Sequence, residues 1–302
     1  MSLFVRLQRL VKSAVPDLRM DIMHTIAHRA LIARGAEAWT SRLAGHVVQR
    51  YAMPGTGSGP PVLLLHGLNA SVGTMAPLVP FLARVSKRVA VFDLPAHGRS
   101  QAPDGPPLSL IEYGEIAREA AEELAHETGD QIVLVGNSLG GALALYVAQK
   151  IPERIAGLVG LNPAGAPATE PAVAKLPKEF ASEAEGADKM ARLLFNKAPL
   201  AYWLIGRDVA RGWSTPPVQK LLDDARAGTL AAQVSPMLAG VKARTLILWG
   251  AEDSMLPYAS ADEFRRLIAN VQVEIVPDAG HVLQLELPLW TGKRVARFVR
   301  EL

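Results

Sequence analysis

Short apolar runs recur along the chain, separated by longer stretches in which apolar residues return every three or four positions. Residues 62–65, 89–92, 132–135, 155–161, 245–249 and 271–276 form the short runs. Several are apolar throughout rather than alternating, the pattern of strands buried on both faces. Between them, 77–85, 109–128, 140–151 and 258–268 carry helical periodicity, and a last helix closes the chain. Ser109 and Glu112 stand in capping-box spacing at the start of one of these helices. Strands alternating with amphipathic helices predict an α/β fold, with a mostly parallel central sheet and helices on both faces. Ligands of such sheets bind beyond the carboxyl ends of the strands, so chemistry is expected just after them.

Two regions break the alternation. At the start, Leu3, Phe4, Leu7, Leu10, Val11 and Leu18 share one helical face, with Arg6, Arg9 and Lys12 on the other. This helix over 3–18 would dock on its own domain or make transient contact with a membrane surface. A second helix is expected over 23–43, so residues 1–45 read as an N-terminal helical extension. Residues 51–61 read as a strand followed by a turn rich in Gly and Pro. Between 163 and 242 the chain is rich in Ala, Pro, Leu and Met and lacks a strand pattern. That stretch is too long for a plain connection. It reads as a helical lid over 164–241, inserted into a core made of 46–163 and 242–302.

Composition narrows the classes. The chain has 302 residues, 49% of them apolar and 20% charged, which is the balance of a folded protein with a large core. A net charge of +3 with interspersed signs leaves no basic stripe for nucleic acid. With no cysteine, disulfides and thiolate metal sites are excluded. No apolar run approaches the ~18 residues of a membrane span, and Arg6 and Arg9 interrupt any secretory signal. A cytoplasmic protein is expected, peripheral to a membrane if the 3–18 helix lies on one.

The candidate chemistry begins at Gly136-Asn137-Ser138-Leu139-Gly140. This is a G-x-S-x-G sequence between an expected strand and an expected helix, the context of a nucleophile elbow. Ser138 would sit at the apex of a sharp turn, and side chains at 136 and 140 would collide with neighbouring backbone. Gly141 would let the helix pack close. A serine hydroxyl needs a base to take its proton. His281, in the loop after the last strand, follows Ser138 in the order required, and Asp253, four residues past Trp249, lies between them as the acid. Glu252 and Asp278 are neighbouring carboxylates; Asp278 reads as a turn residue. Position 162 is Asn and does not compete as the acid. The oxyanion of acyl transfer would be held by the backbone N–H groups of Leu139 and of Leu68, which follows His66-Gly67 after a strand. His66 reads as a structural hydrogen-bonding residue. His24 and His28 stand four apart on an expected helix, but no third ligand accompanies them, and no metal site is expected. The "GTGSG" at 55–59 lacks the Lys and helix of a phosphate loop.

"HGL" at 66–68, "DLPAHGRS" at 93–100, "GNSLGG" at 136–141, "WGAEDSMLP" at 249–257 and "AGH" at 279–281 follow one another in the order and spacing of a known superfamily. Together they resemble the serine hydrolases of the α/β-hydrolase superfamily, over residues 47–302. Within it the chain is similar to monoacylglycerol lipases and related bacterial lipases and esterases, through "NPAGAP" at 162–167 and the segment running from 249 to 288. It is also similar to the carbon–carbon bond hydrolases of aromatic ring-cleavage pathways, where a Trp commonly follows the histidine; here Val282 does. Ser at 138 sets the chain apart from the Asp-nucleophile branches. The resemblance implies a carboxylic-ester hydrolase acting through an acyl-enzyme without a cofactor. Its substrate would be a small-molecule or lipid ester, a monoacylglycerol or a short- or medium-chain acyl ester. The same triad could serve carbon–carbon hydrolysis or acyl transfer, and a non-catalytic ligand receptor can keep the fold. Met190, Leu194 and Trp203, in an apolar stripe of the lid, would line the acyl pocket or pack the lid on the core. Acyl chain length and oligomeric state do not follow from these residues.

Overall fold

A computed structural model describes residues 20–166 and 169–302. The expected 3–18 helix lies outside the described residues. The first helix, α1, spans Met20–Ala33. The expectation of helix to residue 43 is corrected: Glu37–Leu43 is a strand, β1, paired antiparallel with β2, His46–Pro54. The two strands are joined by Ala44 and Gly45, both with positive φ (44° and 84°), so Leu43 pairs directly with His46. A two-residue turn of that hand suits the twist of a hairpin.

The remaining strands are β3 (Val62–Leu65), β4 (Arg88–Phe92), β5 (Ile132–Asn137), β6 (Ile155–Leu161), β7 (Arg244–Gly250) and β8 (Val271–Val276). They form one sheet of eight in the order β1-β2-β4-β3-β5-β6-β7-β8. From β4 to β8 every pairing is parallel. Apolar layers cover both faces. Ile132 and Leu134 join one core, and Val133 and Val135 the other. That is why the run has no polar alternation: all four side chains are fully buried, each contributing about 1.5–3 kcal/mol by burial.

The helix at Leu110–Thr128 starts with the capping box read at Ser109 and Glu112: the Ser109 N–H donates to Glu112 Oε2 at 2.7 Å. Between β6 and β7 no strand forms among the described residues. Helices occupy Glu170–Ala174, Glu183–Leu194, Gly206–Trp213, Pro216–Arg226 and Thr229–Leu238 instead. No helix among the described residues is long and apolar enough to cross a membrane.

Candidate active site

Ser138 sits between β5 and the helix Leu139–Lys150 with φ 54° and ψ −116°. A non-glycine residue there costs roughly 1–3 kcal/mol, so its surroundings must hold it. They do so through its own backbone. The Ser138 N–H donates to Leu161 O at 3.1 Å, and Ser138 O accepts from the N–H groups of Gly141 (2.9 Å) and Ala164 (3.0 Å). The glycines are required sterically. A Cβ on Gly136 would lie 2.1 Å from Gly140 O, and one on Gly140 2.1 Å from Leu65 O. A Cβ on Gly141 would lie 2.5 Å from the side chain of Pro163.

His281, in the loop after β8, is 2% exposed, and the side chain of Asp253, after β7, is fully buried. His281 Nδ1 lies 2.7 Å from Asp253 Oδ2. An ionised carboxylate accepts only, so Nδ1 is the donor of this hydrogen bond. Nε2 is buried without a protein partner. The other Asp253 oxygen, Oδ1, accepts the backbone N–H groups of Met255 (2.9 Å) and Leu256 (2.8 Å). Ser138 and His281 both face one cavity of about 740 Å³. Leu68 and Leu139 lie on its wall as well. Neither backbone N–H is taken by another protein group among the described residues.

Two asparagines to which the sequence assigns no role hold this site together. Asn162 is fully buried with φ 46°, and its Nδ2 donates to Asp253 Oδ2 at 2.7 Å. Its signal was its place just after β6, in the same row of strand ends as Asp253. Asn137, inside the elbow sequence, donates from Nδ2 to Leu161 O (2.9 Å) and His281 O (3.2 Å), tying the nucleophile turn to the histidine loop.

Behind the 66–68 loop lies a second polar layer. His66 is fully buried; its Nδ1 donates to Gly67 O at 2.8 Å, and its Nε2 accepts the Leu94 N–H at 3.0 Å. Both nitrogens are therefore committed to structure. Burial pushes the His66 imidazole down to about 3, with His97 adding to the shift. Asp93 accepts the Val72 N–H (2.7 Å) and the Arg99 N–H (3.0 Å), and burial pushes its carboxyl up to about 6. Of the expected metal-spaced pair, His28 faces Tyr51, with Nδ1 3.1 Å from the hydroxyl.

The cavity wall is apolar. Its fully enclosed side includes Met190, Trp213, Leu221, Leu222 and Val234. Its other side carries Met23, Ile26 and Ala27 of α1, together with Leu289. Ile26 (50%) and Leu289 (68%) are solvent-exposed, so the cavity opens there. Met190 and Leu194 lie on the wall, whereas Trp203 is not among the lining residues and packs against the core. Its ring stands edge-on to Tyr202 at 5.2 Å, and Tyr202 is the residue that faces the cavity. The turn over Leu200–Leu204 is a 3₁₀ helix, and Tyr202 is its buried residue.

A profile of the Alpha/beta hydrolase family matches residues 62–297. The chain belongs to the alpha/beta hydrolase family. The match spans the nucleophile turn, the acid and the histidine, and leaves α1, β1 and β2 outside. Among curated relatives, this alpha/beta hydrolase is 29% identical over 252 residues to a 2-hydroxy-6-oxo-6-phenylhexa-2,4-dienoate hydrolase of Burkholderia cepacia, covering 76% of this chain and 84% of the relative. It is 26% identical over 249 residues to the carboxylesterase YbfK of Bacillus subtilis, covering 81% and 82%. The fold resembles that of a membrane phospholipase A described as a bacterial virulence factor, with TM-score 0.73, 21% identity and 93% of each chain covered.

Proposed function

We propose that this alpha/beta hydrolase cleaves carboxylic esters through an acyl-enzyme on Ser138. The observation that carries the reading is the buried Asp253–His281 pair, which lies on the wall of the same largely apolar cavity as Ser138. Ser138 Oγ attacks the ester carbonyl as His281 Nε2 takes its proton. The Leu68 and Leu139 N–H groups hold the oxyanion. The imidazolium, stabilised by Asp253, returns the proton to the departing alcohol. Water then attacks the acyl-enzyme, giving its proton to His281, and the acid leaves as Ser138 is reprotonated. Besides the substrate, the steps use the protein's own groups and one water.

The wall supports a neutral acyl ester, a monoacylglycerol or a short- or medium-chain ester. Among the lining residues, Arg34 is the sole Lys or Arg, and it lies exposed at the end of α1. A dienoate, such as the substrate named for the Burkholderia relative, brings a carboxylate whose burial is costly without a paired cation. The likeness to that relative keeps carbon–carbon hydrolysis as the second reading.

The test is hydrolysis of p-nitrophenyl esters from acetate to palmitate by wild type and Ser138→Ala. A chain-length optimum that vanishes in Ser138→Ala supports the ester reading. Turnover of a ring-cleavage dienoate with none of the esters would favour the second reading. Tight binding of ester products without turnover would point to a receptor, and product transfer to added alcohol to an acyltransferase.

A further inference from the structure

The loop that carries His281 is hydrogen-bonded to the helical insertion. The His281 and Val282 N–H groups both donate to Leu194 O, at 2.9 and 3.2 Å. Leu194 is the last residue of the helix Glu183–Leu194 and lies on the cavity wall. A single carboxylate completes the seam. Glu286, one turn past the histidine, accepts the Gly280 N–H at 2.8 Å and the Asn196 N–H at 3.3 Å through Oε2. Through Oε1 it accepts the Lys197 N–H at 2.5 Å. The backbones meet closely enough that a Cβ on Gly280 would lie 2.7 Å from Asn196 N and 2.8 Å from Phe195 Cα.

A charged acceptor shared by three backbone N–H groups is a strong junction. On one side it holds the residue just before His281. On the other it holds the stretch through which the insertion enters the cavity wall at Phe195 and Pro199. The insertion is tied to the other side of Ser138 too, where Asn69, next to Leu68, donates from Nδ2 to Val209 O at 2.8 Å.

We propose that Glu286 is a positioning residue: through its three N–H partners it makes the alignment of His281 depend on the seating of segment 194–197. Insertion and histidine loop then move as one body, and a displacement of the insertion withdraws the base from Ser138. The proposal rests on the Ser138–His281–Asp253 reading.

The test compares wild type with Glu286→Gln, Glu286→Asp and Glu183→Ala in the full-length chain. Glu286→Gln keeps the shape but removes the charge and turns an NH₂ toward an N–H donor. Glu183→Ala cuts the Arg211–Glu183 ion pair inside the insertion, away from the histidine loop. The substrate is p-nitrophenyl acetate, which is too short to need the far wall. Glu286→Gln should lower kcat by about 10- to 100-fold with KM within about 3-fold, and Glu286→Asp should recover part of the loss. The downfield Nδ1 proton of the Asp253–His281 pair should broaden or vanish in the NMR spectrum of Glu286→Gln. Glu183→Ala should keep both kcat and that resonance. Unchanged kcat and resonance in Glu286→Gln, or the same losses in Glu183→Ala, would overturn the proposal.

Hydrogen exchange of the wild type decides the matter even if Glu286→Gln fails to fold. The amides of Gly280, His281, Asn196 and Lys197 should open in one cooperative step, and separate opening free energies would contradict a single body. Activity that survives Ser138→Ala overturns the underlying triad reading instead, a failure visible before any Glu286 variant is made.

Discussion

Asp253→Asn tests the orientation of the base with almost no change of shape. The carboxylate is met by four donors and no acceptor. His281 Nδ1 and Asn162 Nδ2 reach Oδ2 at 2.7 Å each, and the Met255 and Leu256 N–H groups reach Oδ1 at 2.9 and 2.8 Å. An asparagine must place its NH₂ on one of those two sides. Against Oδ1's partners it meets two backbone N–H groups that cannot turn away. Against Oδ2's partners it meets two side chains, and the imidazole can answer by moving its proton. The NH₂ therefore goes to the Oδ2 side, Nδ1 becomes the acceptor, and the proton passes to Nε2. A protonated Nε2 cannot take the Ser138 proton. The expected loss is ~10⁴-fold in kcat, about 5 kcal/mol of activation free energy, as for a triad held in the wrong tautomer. KM should change little. The assay is p-nitrophenyl ester hydrolysis by Asp253→Asn beside Ser138→Ala, with ¹⁵N-imidazole NMR to read the tautomer. An Asp253→Asn enzyme within about tenfold of wild type, with the Nδ1–H tautomer retained, would refute this account of Asp253.

Acid should destabilise the fold through His66. Its folded-state value of about 3 lies below its ordinary 6.5, so between those limits the unfolded chain binds more protons and stability rises with pH. Asp93, raised from 3.8 to about 6, acts with the opposite sign over a narrower window, and His97, lowered by burial, adds to His66. Urea midpoints should therefore fall between about pH 6.5 and about pH 4, and His66→Gln should flatten that slope; an equally steep slope in the variant would contradict the assignment. Gly136→Ala puts a Cβ 2.1 Å from Gly140 O and should cost at least about 3 kcal/mol or prevent folding, whereas Gly105→Ala, with nothing within 4 Å, should shift Tm by no more than about 1–2 °C. Leu222→Trp, on the enclosed side of the cavity, should lower kcat/KM for long-chain esters by about 10- to 100-fold and leave acetate unchanged; equal loss for both would mean that acyl chains do not extend to that side.

What could be read from the chain followed the strength of the local signal. The run 132–135 declares a strand because all four side chains must be apolar to fill two cores. The elbow declares itself because Gly136 and Gly140 have no room for a Cβ. Asp253 and His281 could be paired in advance because both follow parallel strands, which deliver residues far apart in sequence to one edge. Other features lacked such a signature. The β1–β2 hairpin hangs on two positive-φ residues, Ala44 and Gly45, of which only one is glycine. Asn162 stands at a strand end in the sequence, but its partner Asp253, like the N–H partners of Glu286, is supplied by tertiary packing alone. Trp203 and Tyr202 are adjacent aromatic residues, and their order along the chain does not tell which of them faces the cavity.

Ester hydrolysis by this route passes through a covalent acyl group on Ser138. The most direct test is rapid quenching of the enzyme during turnover of a p-nitrophenyl ester, followed by peptide mass mapping. One acyl adduct is expected, on the peptide containing Ser138, formed with a burst of p-nitrophenol, absent in Ser138→Ala and formed about 10⁴-fold more slowly in Asp253→Asn. Turnover with no adduct on Ser138, or an adduct on another residue, would contradict it.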